Sequence, residues 1–323
     1  MKFLLPFVAL LACGVAAAAP QAAPSSASPS AQAPGYYRVR LGRMTVTVLS
    51  DGTAAVPFDQ LLRGLPRPAI DRAFAAAGET ADRATSINAF LVDTGEHRIL
   101  IDAGAGALFG PCCGRLPQAL AAAGYRPEQI DAVLLTHVHG DHSGGLVRDG
   151  ARVFPNADLY LSKTELDFWT SDAEQARATP SHRQMFVEGR AALAPYLAAH
   201  RVHTFAGRSE VFPGITAVPA AGHTPGHTFY ELESDGHRLL VVGDLVHAAE
   251  IQFGRPAVTI DFDIDQAAAA ARRRAALAAL ADSHELVAGD HLSFPGLGHV
   301  QRLGDAFVWA PLPYQADVAQ VGR

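Results

Sequence analysis

The sequence is poor in cysteine, lysine and long apolar runs, and each shortage excludes something. Three cysteines in 323 residues, at positions 13, 112 and 113, are too few for a disulfide scaffold. Cys112 and Cys113 are neighbours, and neighbouring cysteines pair only with strained geometry. They read as two ordinary thiols of a loop or pocket. Lysine occurs only at Lys2 and Lys163, and the formal charge is -6. Beyond Arg272, Arg273 and Arg274 there is no basic stripe, which argues against nucleic acid as a partner. No apolar run is long enough for a stable membrane span, and no repeat at solenoid spacing is visible. What is present is a globular composition. Apolar residues make up 49%, so disorder is excluded for most of the chain. The length allows a sizeable core.

The first residues read as a targeting signal. Lys2 supplies a positive start, Phe3 to Leu11 an apolar stretch, and Val15 to Ala19 small residues of the cleavage type. The expectation is export to the periplasm or beyond, with residues 1–19 as signal peptide. A lipoprotein box at Leu11-Ala12-Cys13-Gly14, with Cys13 lipidated, is the less favoured alternative. Residues 20–34, rich in Pro, Ala, Ser and Gln, read as a flexible leader. Residues 35–323 then form one domain.

Within that domain, strands are expected at Tyr36 to Leu41, Met44 to Leu49, Asn88 to Val92, Arg98 to Asp102, Ile130 to Leu135, Leu159 to Leu161, Phe229 to Glu233, Arg238 to Val242 and Glu285 to Ala288. Asp51-Gly52 signals a turn. Helices are expected near Ile70 to Ala77, Leu116 to Ala123, Lys163 to Thr170, Arg183 to Ala199 and Gln266 to Ala281. Pro195 is expected to interrupt the fourth of these. Strands mixed with helices through both halves predict stacked sheets covered by helices, an α/β sandwich.

The chemistry gathers after the buried strand ending at Leu135. The run Thr136-His137-Val138-His139-Gly140-Asp141-His142 holds four ligand-type side chains. His137 and His139 are two apart, so an extended loop presents both rings to one side. Gly140 lets the chain turn before Asp141 and His142. Imidazole and carboxylate suit zinc and neighbouring first-row ions. Any one of these histidines alone would be an ordinary surface or core residue; the four together point to metal. Three further candidates each close a strand or loop: His223, Asp244 and His291. His227, His284 and His299 compete for such roles, and His227 and His299 read as supporting or turn residues. Asp102 reads equally well as a turn cap or as a group orienting a ligand histidine.

This pattern resembles the metallo-β-lactamase superfamily. Within it, the runs Ser50-Asp51-Gly52-Thr53, Leu108-Phe109-Gly110-Pro111, Gly243-Asp244-Leu245-Val246-His247, Ile251-Gln252-Phe253 and Phe294-Pro295-Gly296-Leu297-Gly298-His299 are similar to the branch of methyl parathion hydrolase and its exported lactonase-like relatives. The resemblance implies a four-layer αββα sandwich and two divalent metal ions, zinc being the expected metal. It implies that His137, His139 and His223 hold one ion, that Asp141, His142 and His291 hold the other, and that Asp244 bridges them. Asp141 and Asp244 would serve catalysis around a metal-bridging hydroxide. It also brings the expectation of a homodimer.

The implied activity is hydrolysis of a small molecule: a lactone or aryl ester, with organophosphate triesters in reach. Phe109, Trp169 and His247 are the candidate pocket residues, with Phe168 reading more as core. Cys112-Cys113 departs from the branch pattern beside the pocket, which counts against efficient organophosphate hydrolysis. A β-lactamase and a non-catalytic zinc protein are the alternatives from other classes.

Overall fold

The computed structural model describes residues 32–33 and 35–322. The expected signal peptide, most of the leader and Cys13 lie outside them. Two sheets dominate the remainder. The first has eight strands in the spatial order Val202–Phe205, Asp158–Ser162, Ala132–Leu134, Arg98–Ile101, Asp82–Asp93, Met44–Pro57, Tyr36–Leu41 and Ala319–Gln320. The second has seven: Ser209–Phe212, Ile215–Pro219, Thr228–Ser234, His237–Val241, Leu286–Ala288, Leu297–Leu303 and Ala306–Pro311.

The pleat explains the layering. Successive residues of a strand face opposite sides, and here both sides are apolar. Phe90, Val92, Ile99, Ile101 and Leu134 of the first sheet pack with Tyr230, Leu232, Leu239 and Val241 of the second in one core between the sheets. The alternate residues Leu91, Leu100 and Val133 pack outward, against Leu120, Phe186 and Leu193. Those come from the helices Leu116–Ala122 and Pro180–Ala198. The outer face of the second sheet, with Phe229, Val287 and Val300, is covered by Leu277 and Leu280 of the helix Gln266–Ser283. Helix, sheet, sheet, helix is the αββα sandwich.

Several expectations are corrected in detail. Asp51-Gly52 is not a turn: the strand Met44–Pro57 runs through it, and its register with Asp82–Asp93 shifts between Ser50 and Gly52. That is a bulge, at which Gly52 adopts φ 144°. Pro195 does not interrupt its helix, which continues to Ala198. So near the helix end, proline forfeits one backbone bond and little else. The buried strand is shorter than expected, Ala132–Leu134. Residues 202–219 and 297–311 add strands that sequence patterning did not anticipate.

The topology fixes where function sits. Ala132–Leu134 runs parallel to both Arg98–Ile101 and Asp158–Ser162, and His237–Val241 runs parallel to Leu286–Ala288. Asp102, His137, Asp244 and His291 follow the carboxyl ends of four of these strands. They meet at one rim, where both sheets open to loops.

Candidate metal centre

His137 and His139 stand in the extended loop after Leu134, and Asp141 and His142 on the single turn Gly140–Ser143. His223 comes from the loop between Ile215–Pro219 and Thr228–Ser234. The structure brings all seven expected ligands together in two adjoining groups. One is His137, His139, His223 and Asp244; the other is Asp141, His142 and His291.

Asp244 joins the two. Its Oδ2 lies 3.1 Å from His223 Nε2 and 3.5 Å from His137 Nε2. Its Oδ1 lies 3.0 Å from His142 Nε2 and 3.1 Å from His291 Nε2. Asp141, the half-buried member, places Oδ2 3.4 Å from His291 Nε2.

The far side of the rings decides which nitrogen faces inward. His142 Nδ1 donates to Asp102 Oδ2 at 2.9 Å, His223 Nδ1 to Asp263 Oδ1 at 2.8 Å, and His291 Nδ1 to the Ser86 carbonyl at 3.0 Å. His137 Nδ1 lies 3.0 Å from the Thr136 hydroxyl, which itself donates to Asp102 at 2.7 Å. With Nδ1 protonated and occupied, Nε2 of each ring carries a lone pair toward the centre. His139 is turned the other way: its Nδ1 lies 3.1 Å from His137 Nε2 and 3.0 Å from His223 Nε2.

This donor set fits metal ions. Three ring nitrogens about 3 Å apart cannot satisfy one another, because at most one carries a proton to share. His142 Nε2 and Asp244 Oδ1, both facing the centre, are buried without a hydrogen-bond partner, a costly condition. Divalent cations held by the two ligand groups would remove the conflict. Without metal, burial alone would discharge every ring. It does so for His137 and His139, whose pKa values fall well below the ordinary range. For His142 burial is outweighed by the carboxylates of Asp244, Asp141 and Asp102, and its pKa rises well above it. His223 is likewise pushed up to about 9, against burial, by Asp244 and Asp263.

Asp102 is thus an orienting group and not merely a turn cap. His227 supports: its Nε2 accepts the Asp244 N–H at 3.2 Å, and burial pushes its pKa down to about 3, consistent with a neutral acceptor. His284 is exposed and ends a helix in the left-handed conformation. His299 faces the carbonyls of His284 and Glu285. Two residues that sequence reasoning missed matter here. Asp263 orients His223. Glu165, fully buried, accepts from Val138 N–H, the Trp169 indole, the Thr224 hydroxyl and Gly226 N–H at 2.6–3.0 Å. It ties the His137–His139 loop to the His223 loop. Neither carried a signal in the sequence.

A pocket of about 210 Å³ opens over the centre. Its floor includes His139, Asp141, Asp244 and His291; its walls include Val56, Phe58, Ile87, Phe109, Met185 and Phe262. Phe109 and His247 line it as expected. Trp169 does not. It is completely buried behind His139, with ring centroids 5.3 Å apart, and packs with Phe168 and Phe186 in the helix-facing core. Its indole N–H needs the buried Glu165 as acceptor, and that turns it away from the cavity.

The sequence model of the metallo-beta-lactamase superfamily matches residues 82–291. The chain belongs to that superfamily. Among solved members, it resembles AbOPH, a hydrolase of the beta-lactamase superfamily, at 35% identity and TM-score 0.83, covering 88% of this chain and 100% of that one. It also resembles AidC, a dizinc quorum-quenching lactonase solved with the product N-hexanoyl-L-homoserine, at 27% identity and TM-score 0.82, covering 87% and 98%. Among curated sequences it matches the N-acyl homoserine lactonase AiiA of Bacillus thuringiensis subsp. kurstaki, 28% identical over 130 residues, which is 40% of this chain. That match spans only 44% of the lactonase's own length. The dizinc relative and the two ligand groups agree on two divalent metal ions at this superfamily site.

Proposed function

We propose that this chain is an exported two-metal hydrolase of neutral cyclic or aryl esters, with zinc as its metal. The observation that carries the reading is Asp244, which points one carboxylate oxygen at each ligand group beneath an apolar pocket. His137, His139, His223, Asp141, His142, His291 and Asp244 would hold two divalent ions there, which would supply Lewis-acid polarisation and a lowered pKa for water. The protein's side chains do the rest. Asp102, Asp263, Ser86 and Thr136 hold the rings in register. Asp141, partly open to the pocket, is placed to take a proton at a carboxylate oxygen and return it to the leaving oxygen. His247 lines the pocket and keeps Nδ1 unpartnered, while its Nε2 lies 3.0 Å from Asp244 Oδ2. Burial lowers its pKa, so the neutral ring donates at Nε2 to Asp244 and helps hold that carboxylate in place.

The wall chemistry supports the substrate class. The lining residues include no Lys or Arg, and Glu188 adds a carboxylate beside Gly140. A β-lactam carries its own carboxylate and finds no cationic side chain to pair with. A neutral lactone or ester bearing an alkyl or aryl group matches the apolar wall. Neutral phosphotriesters with an aryl leaving group share these features and form the second reading. Likeness over nearly the full chain to a lactonase supports lactones as the first. Export rests on the pattern around Lys2 to Ala19.

The test is a panel of kcat/KM values for zinc-loaded protein on γ- and δ-lactones, aryl acetates, methyl parathion and nitrocefin. Lactones or aryl acetates should lead. Nitrocefin in first place, or no turnover by protein with verified metal content, contradicts the proposal.

A further inference from the structure

Cys112 and Cys113 take no part in the chemistry above, yet they sit against the pocket from behind. They fall on and just after the single turn Gly110–Cys112, which follows Phe109 directly. Cys113 is buried with Ile87 and Ala105, and Ala54 and Cys112 pack on that cluster. Ala54, Ile87 and Phe109 all line the pocket. The Cys112 thiol donates to the Phe109 carbonyl at 3.2 Å. The two sulfurs are in contact, at 2.6 Å.

The surrounding backbone holds them there. Asp51, buried at the strand bulge, accepts the N–H groups of Ala105 at 2.9 Å, Gly114 at 3.0 Å and Leu116 at 2.9 Å. The loop is therefore pinned before and after the pair. Gly52 lets it approach: a Cβ there would collide with the Cys112 carbonyl and lie 2.9 Å from Cys113 Cα. Two thiols on a clamped backbone cannot drift apart, so closing them costs little further ordering.

We propose that Cys112 and Cys113 are an oxidisable site that closes to a vicinal disulfide and in closing shifts the Phe109 wall of the pocket. The oxidant belongs to the disulfide class, acting by thiol–disulfide exchange. Cys112, the more exposed, loses its proton and attacks one sulfur of the incoming disulfide. That S–S bond breaks, one thiolate departs, and a mixed disulfide remains on Cys112. Cys113 then loses its proton and attacks Cys112 Sγ; the mixed bond breaks and the second thiolate departs. Two protein thiols are oxidised and one disulfide is reduced to two thiols. Burial and the adjacent Cys112 sulfur push the Cys113 thiol up, in keeping with its acting second. Closure removes the thiol donor that holds the Phe109 carbonyl, so the turn and the ring move together. A bond between neighbours is strained and is reopened readily by a dithiol.

The test equilibrates metal-loaded protein with oxidised glutathione and maps the tryptic peptide 99–115, which carries Cys112 and Cys113 and no other cysteine. The expected peptide is lighter by two hydrogen atoms, free of glutathione, and restored by dithiothreitol. In parallel, KM for an aryl acetate should shift on the order of fivefold and return on reduction. In the double variant Cys112→Ser/Cys113→Ser, neither closure nor the oxidant-dependent KM shift should occur. A peptide that keeps two free thiols, or stops as a glutathione adduct, overturns the site. A closed peptide with unchanged KM overturns the link to Phe109. The KM arm rests on the proposed hydrolase reading; the peptide map does not, so absence of turnover sinks that reading while the map still decides the cysteine site.

Discussion

The carboxylate of Glu165 receives four donors from three parts of the chain, two of them loops that carry metal ligands. Burial raises its pKa while those donors hold it back. Glu165→Ala leaves several buried donors without an acceptor and should lower unfolding free energy by about 3 kcal/mol in urea titrations. Metal content of the purified variant should fall as well. Phe109 acts differently. It is 42% exposed and belongs to no buried core cluster. Phe109→Ala should leave the urea midpoint within experimental scatter and raise KM for aryl acetates by about three- to tenfold. The contrast follows the legibility of the two residues. His137 to His142 are readable because ligand types cluster locally. Glu165, Asp263 and Ser86 act on partners 27, 40 and 205 residues away. Such pairings leave no periodic trace in one sequence. Trp169 was misplaced for the same reason: an aromatic after a metal motif reads as a wall until its acceptor, Glu165, is known.

Among the elements, the strands of the sandwich were largely readable, since they are apolar and bounded by turn residues. The strands Val202–Phe205 and Ser209–Phe212 were not, because each is a four-residue edge strand with no fully buried position, too short to show an alternation. The bulge at Asp51-Gly52 looked like a turn because both use the same residues; only the partner strand Asp82–Asp93 shows that pairing resumes. Loops at the strand ends have little slack. Gly243 has φ 49°, and a Cβ there would lie 2.6 Å from His227 Nε2. That ring accepts the Asp244 N–H. Gly243→Ala should therefore cost about 1–3 kcal/mol and weaken metal retention, read by competition with a chromogenic chelator. Unchanged metal affinity would show that Asp244 does not depend on this turn.

For the molecule as a whole, metal, protons and stability are linked. In chelator-treated protein His223 carries a pKa of about 9, raised from 6.5. A raised pKa means that this stabilising contribution is complete below the unfolded value and fades as pH rises through the folded one. The melting temperature of chelated protein should thus fall between pH 6.5 and 9. Metal must displace the same proton, so metal affinity should rise over that interval, with proton release detectable by calorimetry in buffers of different ionisation enthalpy. Metal at a thousand times its Kd adds about 4 kcal/mol, so the loaded protein should gain most over the chelated form at the alkaline end. A gap that narrows with pH would contradict the linkage.

The central claim is that Asp244 joins two metal sites under one pocket. Its most direct test is metal stoichiometry, by mass spectrometry of metals on gel-filtered protein, for wild type and Asp244→Ala. Two divalent ions per chain are expected in the wild type and one or none in the variant. A wild type that binds one ion, or a variant that keeps two, would contradict it.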